Sequence, residues 1–228
     1  MLYIVATPLG NLSDLSLRQA KTLASSDIII SEDTRLTGVL LDQIKKIFGF
    51  EKNPNQRLIS YYKEKELEKL PEIIELLKSG KNVSLVSESG MPLVSDPGYL
   101  LVKTTIKQNL PFTVVAGPTA VTTALVYSGF NPNNYMFLGF LPKKPNHLFQ
   151  LINKLKQIKL IFPEMVFVFY ESPKRINKTL KIIDEIVPNA EVCICREMTK
   201  KFEEIVRGKS KELCARSYKG ELTIVLSM

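Results

Sequence analysis

The chain has 228 residues, of which 45% are hydrophobic and 24% charged, a composition typical of a folded globular protein with a sizeable core. Its formal net charge of +8 favours a polyanionic partner such as nucleic acid, although many basic proteins bind none. No apolar run approaches the roughly 20 residues that span a bilayer, and residues 1–5 resemble a strand rather than a signal peptide, so we expect a cytoplasmic location.

Strand-like and helix-like segments alternate through the first half of the chain. Short β-branched runs predict strands, and apolar residues at helical spacing predict helices. This alternation is typical of βαβ units and a largely parallel sheet. We expect strands at residues 2–6, 27–31, 58–61, 83–86 and 112–115, and helices from Ser13 or Ser16 to about residue 25 and at 36–48, 64–79, 99–108 and 117–127.

The second half of the chain differs in character and predicts a second α/β lobe. Residues 141–146 are rich in proline and lysine and resemble a linker. We place an N-terminal lobe at residues 1–115 and a C-terminal lobe at 116–228, with the boundary somewhere within 115–140. The expected strands are 135–140, 165–170, 191–195, 222–226 and a short one near 202–206, and the expected helices are 148–160 and 174–186.

Three cysteines and a single histidine limit the chemistry that the chain can support. Three cysteines cannot form a disulfide framework. Cys193 and Cys195 alternate along a strand, so we expect small buried thiols on one face rather than ligands. His147 lies in a polar connection, far from the cysteines in sequence. These positions predict no metal site and no Ser/His/Asp triad.

Polar clusters follow several predicted strands, where α/β enzymes bind their ligands. The longest is residues 87–98, in which serine, glycine, proline and acidic residues follow a buried strand. Others begin at Thr7, Glu32, Tyr170 and Arg196. There is no G-x-G-x-x-G pattern and no P-loop. Together the clusters predict a ligand cleft between the two lobes.

Helix starts offer a structural explanation for part of two of these clusters. Asp33 or Thr34 can cap the helix after Glu32, and Pro173 can occupy the first helical position after Ser172. A helix start does not require Lys174 and Arg175 in the first turn, since basic residues there oppose the helix dipole. Local sequence leaves the structural and functional interpretations of residues 32–35 equally open, whereas basic residues at 174–175 favour a nearby anion.

The motifs of this chain resemble those of the tetrapyrrole-methylase superfamily of S-adenosylmethionine-dependent enzymes. Within it, the chain is similar to the ribosomal RNA small subunit methyltransferase I branch, which methylates the ribose 2′-oxygen of a cytidine in 16S rRNA. The resemblance covers nearly the whole chain in the family's order. Its motifs are residues 2–12 (LYIVATPLGNL), 32–35 (EDTR), 87–98 (SESGMPLVSDPG), 116–120 (AGPTA), 139–142 (GFLP), 169–176 and 196–208.

The resemblance implies a two-lobed α/β methyltransferase fold of class III, with S-adenosylmethionine in a cleft between the lobes. It also implies a homodimer that acts on 16S rRNA or the small ribosomal subunit. As catalytic carboxylates we expect Glu32, Asp33 and Glu171, and as phosphate-holding residues Arg35, Lys174 and Arg175. The implied cofactor-binding residues are Pro8, Leu9, Gly10, Glu88, Gly90, Met91, Thr119, Ala120, Tyr170, Met198, Gly220 and Glu221.

Two departures from the family pattern keep alternatives open. The family usually has aspartate and threonine where this chain has Glu88 and Met91, and its histidine-rich segment appears here as residues 61–66 without histidine. One alternative is an enzyme that methylates a small molecule of the tetrapyrrole type, which the charge of +8 argues against. The other is a non-catalytic relative that binds RNA or the ribosome. Binding of S-adenosylmethionine separates this last alternative from an enzyme.

Overall fold

The computed structural model describes all 228 residues, which divide into two compact units, Met1–Thr119 and Ala120–Met228. Each unit is built on its own five-stranded sheet. In the first unit the strands are β1 (Leu2–Val5), β2 (Ile28–Ser31), β3 (Arg57–Ser60), β4 (Val83–Val86) and β5 (Phe112–Val115), and the helices are α1 (Leu17–Ser25), α2 (Thr34–Phe48), α3 (Glu66–Lys78) and α4 (Tyr99–Lys107).

The sheet of the first unit is parallel throughout, in the order β3-β2-β4-β1-β5. All four residues of β2 and of β4 are buried, as expected for central strands that are covered on both faces. Because the strands are parallel, their carboxyl ends lie at one edge of the sheet. The loops after β1, β2 and β4 therefore meet there, which confirms the predicted parallel βαβ arrangement.

Two apolar cores lie on opposite faces of this sheet because alternate residues of a strand point to opposite sides. Ile30 packs in the core with α3, whereas Ile29 packs in the core with α1 and α2. Both side chains are fully buried, and such burial contributes about 1.5–3 kcal/mol for each. The helices on either side fix the positions of the strands and of the loops that follow them.

Local sequence determines where α1 and α2 begin and end. Ser16 caps α1 in a capping box, because its hydroxyl accepts from Gln19 N and Gln19 Oε1 accepts from Ser16 N. Asp33 caps α2, and Gly49 ends that helix in the left-handed conformation at φ 73°. Of the two caps expected for α1, the structure selects Ser16, because residues 12–14 form a separate 3-10 turn.

The second unit has a mixed sheet in the order β6-β7-β10-β8-β9. Only β6 and β7 are parallel, and the other neighbouring pairs are antiparallel. Its strands are β6 (Tyr135–Phe140), β7 (Val166–Glu171), β8 (Glu191–Arg196), β9 (Glu204–Lys209) and β10 (Leu222–Ser227), and its helices are α5 (Ala120–Ser128), α6 (Pro145–Ile161), α7 (Ile176–Ile186) and α8 (Ser210–Leu213).

One face of the second sheet packs against α6, α7 and α8, and Phe167, Phe169 and Ile194 belong to this core. Helix α5 packs against β8 and β10. Cys193 and Cys195 are buried with their sulfurs 3.8 Å apart, so they share a face of the strand as predicted. No helix of the chain is long and apolar enough to cross a membrane.

One prediction for the second unit was wrong, and one helix was not predicted. Residues 141–146 do not form a linker between lobes, because Pro145 starts α6 inside the second unit and fits the first helical position. The remaining loop residues are held by Arg175, whose guanidinium donates to Leu141 O (3.0 Å) and Pro142 O (2.9 Å). Helix α8 was not predicted at all, since four residues are too few to show helical periodicity.

Candidate functional site

The loops after β1 and β4 are joined by a backbone bridge at the carboxyl edge of the first sheet. Thr7 N donates to Gly90 O at 2.8 Å, and Gly90 N donates to Thr7 O at 3.1 Å. The Thr7 hydroxyl also donates to Ser87 O. Gly90 has φ 81°, and a Cβ there would lie 3.0 Å from a methyl of Leu9. Glycine is therefore needed for the bridge, which we call the Thr7–Gly90 platform.

Glu66 holds the far end of the loop of residues 87–98. Its Oε1 accepts from Gly98 N (3.1 Å), Leu100 N (3.1 Å) and the hydroxyl of Tyr61 (3.2 Å). Glu66 is 8% exposed and Tyr61 is fully buried. A carboxylate at this position supplies the acceptor that the first backbone N–H groups of α4 require. Sequence reasoning missed this role, because the backbone partners of Glu66 lie more than 30 residues away in the chain.

The same loop carries two non-glycine residues in the left-handed region. Leu93 has φ 69° and Ser95 has φ 74°. Such conformations cost free energy and persist only where surrounding contacts hold them. Here Glu66 at one end and the Thr7–Gly90 platform at the other provide those contacts. The loop therefore has a defined shape, as a binding segment requires.

Three carboxylates lie near one another at this edge: Glu32 after β2, Glu88 after β4, and Asp96 in the loop. Burial, followed by the charges of Glu32 and Glu88, raises the pKa of Asp96 to about 7. The pKa of Glu32 is also raised, by burial first and then by Glu88 and Glu64. No lysine or arginine forms an ion pair with any of the three. We call Glu32, Glu88 and Asp96 the acidic cluster.

Asp96 can accept a proton close to neutral pH, and a pKa near the working pH is what general base catalysis requires. Sequence reasoning selected Glu32 and Glu88 but missed Asp96. The signal was present in the Ser95-Asp96-Pro97-Gly98 turn, which was treated only as part of a loop. Burial beside two other carboxylates cannot be recognised from a turn sequence.

Asp33 and Arg35 form a pair at the start of α2. Arg35 Nε and Nη2 donate to the two oxygens of Asp33 at 3.1 and 2.7 Å, and Arg35 N donates to Asp33 Oδ1 at 2.8 Å. These hydrogen bonds lower the pKa of Asp33 to about 2. Asp33 is therefore a weak base. The side chain of Arg35 is 89% exposed, so the guanidinium remains accessible from solvent.

A cleft of about 210 Å³ lies within the first unit, beside the platform and the start of α2. Its polar lining comes from the ends of β1, β2 and β4, including Ser31 and Ser87, and from Thr37 and Gln43 of α2. Its apolar lining includes Leu12, Leu36, Val39, Leu40 and Val86. Of the predicted site residues, the structure brings Pro8, Gly10, Asp33 and Glu88 together around this cleft. Leu9 is buried against Gly90 next to it.

In the second unit, Glu171 and Arg175 belong to an internal network. The Glu171 carboxylate has no exposed surface and accepts from Ser172 N (2.7 Å) and the Thr179 hydroxyl (2.7 Å). It also pairs with Arg175 at 3.2 Å, while the same guanidinium holds Leu141 O and Pro142 O. These contacts tie the β6–α6 loop to the start of α7. Lys174 next to them is exposed.

The loops after β8 and before β10 also interlock. Glu197 Oε1 accepts from Glu221 N at 2.8 Å, and Glu197 N donates to Glu221 O at 3.0 Å. A Cβ on Gly220 would lie 2.5 Å from Glu197 Oε1, so only glycine fits there. Lys200 pairs with Glu221 at 2.7 Å. Of the predicted cofactor-binding residues, Gly220 and Glu221 are thus held together by Glu197, which sequence reasoning missed.

The remaining predicted cofactor-binding residues occupy varied positions. Met198 is buried in the turn after β8. Tyr170 packs near the ends of β6 and β7 against the rings of Phe137 and Phe140, with centroids 5.1 and 5.5 Å away. Met91 directly follows Gly90 and is half-buried. Thr119 ends the first unit, and Ala120 is the first residue of α5.

The sequence matches known proteins over nearly its whole length. The family described as tetrapyrrole (corrin/porphyrin) methylases matches residues 1–214. A Thermotoga maritima protein named ribosomal RNA small subunit methyltransferase I is 42% identical over 230 residues, covering 99% of this chain and 97% of that relative. A protein of the same name from a Hydrogenobaculum species is 40% identical over 233 residues, covering 99% and 95%.

A solved structure supports the fold independently of close sequence similarity. The methyltransferase CobJ superposes with a TM-score of 0.71 at 16% sequence identity, covering 99% of this chain and 93% of the other. At that identity the likeness concerns the fold alone. The predicted α/β fold class is thereby confirmed.

Proposed function

The chain belongs to the tetrapyrrole methylase family, and on that premise we propose that it transfers a methyl group from S-adenosylmethionine to the ribose 2′-oxygen of a cytidine in 16S rRNA. Relatives that are 42% and 40% identical over almost the full chain carry the name of a small-subunit rRNA methyltransferase. The net charge of +8 supports a polyanionic substrate. Such a substrate implies action in the cytoplasm.

The structural observation that carries the proposal is the acidic cluster beside the Thr7–Gly90 platform. A hydroxyl that attacks a methyl group must lose its proton, and a carboxylate with a pKa of about 7 can accept it. Asp96 is the acceptor that the electrostatics favour, with Glu32 next to it. Asp33 is a poorer candidate, because its pKa is about 2. The hydrogen bonds of Glu171 favour a positioning role for that residue.

The platform fits a ligand that approaches the backbone closely. Gly90 leaves space that a Cβ would fill, and Pro8, Gly10 and Glu88 lie beside the cleft. The carboxylates of the acidic cluster, which lie at the same edge of the sheet, also suit a cationic ligand. We assign cofactor contacts in the first unit to Pro8, Leu9, Gly10, Glu88, Gly90, Met91 and Thr119, and in the second unit to Ala120, Tyr170, Met198, Gly220 and Glu221.

When bound, S-adenosylmethionine would supply an electrophilic methyl group for the ribose oxygen, with the electron pair of the broken carbon–sulfur bond left on sulfur. The proton of the hydroxyl passes to the carboxylate of Asp96 and from there to water. The Thr7–Gly90 platform and Glu66 keep the loop that carries Asp96 in place. Positioning of this kind supplies much of the rate enhancement when the methyl donor is already activated.

Two measurements test this function. Calorimetry with S-adenosylmethionine should detect binding, and its absence would favour a non-catalytic relative. Mass spectrometry of 16S rRNA should find one cytidine that lacks its 2′-O-methyl group in cells without this protein and regains it when the protein is returned. Restoration by Asp42→Asn but not by Asp96→Asn would support the proposed base, since Asp42 is exposed on α2. If those cells kept the rRNA methyl group but accumulated an unmethylated small molecule, the tetrapyrrole-type alternative would be favoured.

We further propose that the protein acts as a homodimer. A particle of twice 25.8 kDa in light scattering after size-exclusion chromatography would support this assembly. A particle of one chain's mass at the concentrations used for the activity assay would contradict it. Lys174 and Arg35, both exposed, are proposed to contact phosphates of the RNA, whereas Arg175 is engaged with the β6–α6 loop.

A further inference from the structure

The cleft beside α2 has a lining that differs from the surface of this basic protein. No lysine or arginine lines it, although the chain carries 31 basic residues. Asp33 and Glu88 contribute the only ionisable side chains. A phosphate inside the cleft would meet the carboxylate of Glu88, which forms no ion pair, and that of Asp33, whose charge Arg35 already offsets. The interior is therefore unsuited to a phosphate, even if the protein binds a polyanion.

The apolar side of the cleft leaves large side chains uncovered. Leu36 is 52% exposed and Val39 is 58% exposed, although both lie on the side of α2 that lines the cleft. The polar groups of the lining are already ordered, since the Thr37 hydroxyl donates to Ser31 Oγ at 2.7 Å and Ser87 Oγ donates to Gly90 O at 3.0 Å. A flat group with apolar faces and polar edges matches such a lining.

A nucleobase has those properties. Its faces can pack against aliphatic side chains, and the exocyclic amine of cytosine donates to carboxylate acceptors. Enzymes that do chemistry on a base, including methyltransferases, take the nucleotide out of the stack into a pocket at a cost of a few kcal/mol, and the same movement would bring the attached ribose beside the methyl donor. The cleft also shares Pro8, Gly10 and Glu88 with the segments to which we assign the methyl donor. A nucleoside there would lie beside the reacting methyl group.

Arg35 provides the cation that the interior lacks. It lies between Asp33 and Leu36, both of which line the cleft, and its side chain is 89% exposed. Its pairing with Asp33 holds the guanidinium close to the cleft. An exposed guanidinium at this position can contact the phosphate that flanks a nucleoside held inside.

We propose that this cleft receives the target nucleoside of the RNA, extruded from its stack, with its base between the aliphatic side of α2 and the ends of β1 and β4 and its phosphates outside near Arg35. This proposal rests on the proposed function for the nature of the substrate. It assigns to Leu36 and Val39 a role in substrate binding that neither their sequence nor the family resemblance indicates.

Filling the cleft tests the proposal. Val39→Trp places an indole where the base would lie, and Ile47→Trp is the matched control, because Ile47 is 50% exposed on the same helix but does not line the cleft. We expect Val39→Trp to lower the single-turnover rate of methyl transfer to unmethylated 16S rRNA by at least about tenfold. Ile47→Trp should act at the wild-type rate. Leu36→Trp is a second cleft-filling variant in case one substitution disturbs folding, which thermal unfolding will reveal.

A fluorescence measurement separates this proposal from the proposed function. RNA transcribed with pyrrolocytidine in place of cytidine brightens when a base leaves its stack. Brightening with wild type and Ile47→Trp, but not with Val39→Trp or Leu36→Trp, would support the cleft as a nucleoside site even if S-adenosylmethionine failed to bind. If both cleft-filling variants fold, transfer the methyl group at the wild-type rate and brighten the RNA, the proposal is overturned. The proposed methyltransferase function would remain intact. Absence of brightening with the wild-type protein would also overturn the proposal for the cleft.

Discussion

The carboxylates that follow the strands of the two units have opposite environments. In the first unit, Glu32, Glu88 and Asp96 lie near one another without a basic partner, and the pKa values of Glu32 and Asp96 are raised. In the second unit, Glu171 is paired with Arg175 and accepts two further hydrogen bonds. Glu32, Glu88 and Glu171 lie at or just after strand ends in sequence, and Asp96 lies further along the loop after β4. Their partners, rather than their residue type, separate a proton acceptor from a structural anchor.

This difference has a physical reason. Like charges in a partly buried site favour the protonated form, whereas a buried, paired and hydrogen-bonded carboxylate is costly to leave without its partners. The arrangement in the first unit lowers the stability of the folded protein, but it provides Asp96 as a group that exchanges protons near pH 7. The arrangement in the second unit stabilises the loops around it. Five experiments test this comparison.

Glu171→Ala should have the largest effect. Removing the buried carboxylate leaves Arg175 without its ion pair and Ser172 N without an acceptor, so we expect the free energy of unfolding to fall by about 3 kcal/mol. Urea denaturation measures this change. Glu191→Ala is the control, because Glu191 is exposed at the start of β8. Equal losses of unfolding free energy in the two variants would contradict an anchoring role for Glu171.

Glu66→Ala tests the paired carboxylate of the first unit. It accepts from two backbone N–H groups and the Tyr61 hydroxyl, so its loss should destabilise the protein by about 2–3 kcal/mol. The loop of residues 87–98 should loosen, and calorimetry should detect weaker binding of S-adenosylmethionine. Glu68→Ala, at an exposed position of the same helix, should change neither quantity. If the Glu66→Ala protein were destabilised but bound S-adenosylmethionine as tightly as the wild type, Glu66 would contribute to stability and not to cofactor binding.

Asp96→Asn tests the unpaired cluster directly. The amide cannot accept the proton, so we expect the single-turnover rate to fall roughly 100-fold while binding of S-adenosylmethionine persists. For the wild-type protein the rate should rise with pH through about 7, since Asp96 must be ionised to act as a base. Asp42→Asn should retain both the rate and its pH profile. A variant at residue 96 with the wild-type pH profile would exclude Asp96 as the base.

The same carboxyl should make the protein less stable as pH rises. Its pKa is about 7 in the folded protein against 3.8 for an ordinary aspartate, so the folded state binds the proton more tightly. The contribution is present below pH 3.8 and is lost as pH rises through about 7. After allowance for solvent screening we expect a loss of about 1–2 kcal/mol. Urea denaturation of wild type and Asp96→Asn at pH 5 and pH 8 measures the difference, and parallel pH dependences would contradict the raised pKa.

Arg35→Ala should have the smallest effect, because its side chain is exposed and screened by solvent. We expect the KM for RNA to rise about threefold. The slope of the logarithm of the binding constant against the logarithm of the salt concentration should become shallower by about one, which corresponds to about one counterion fewer released. Arg18→Ala, at an exposed position of α1, is the control. Indistinguishable salt dependences for wild type and Arg35→Ala would place Arg35 away from the RNA phosphates.

The sequence by itself determined most of the elements and the family. Buried β-branched runs such as Val83–Val86 predicted strands with correct bounds, because hydrophobic periodicity is a local property. Strand bounds in the second unit were close as well, but the antiparallel pairing of β7, β8, β9 and β10 was not predicted, since pairing joins residues far apart in the chain. The motifs sufficed to identify the family.

Only the tertiary structure decided which polar residues are available for chemistry. Asp33 and Asp96 are both aspartates beside turns, yet one has a pKa of about 2 because Arg35 donates to it and the other a pKa of about 7 because it is buried beside Glu32 and Glu88. Glu66 became a support for the loop through partners more than 30 residues away. Burial and electrostatic environment depend on the packing of distant segments, which no local pattern contains.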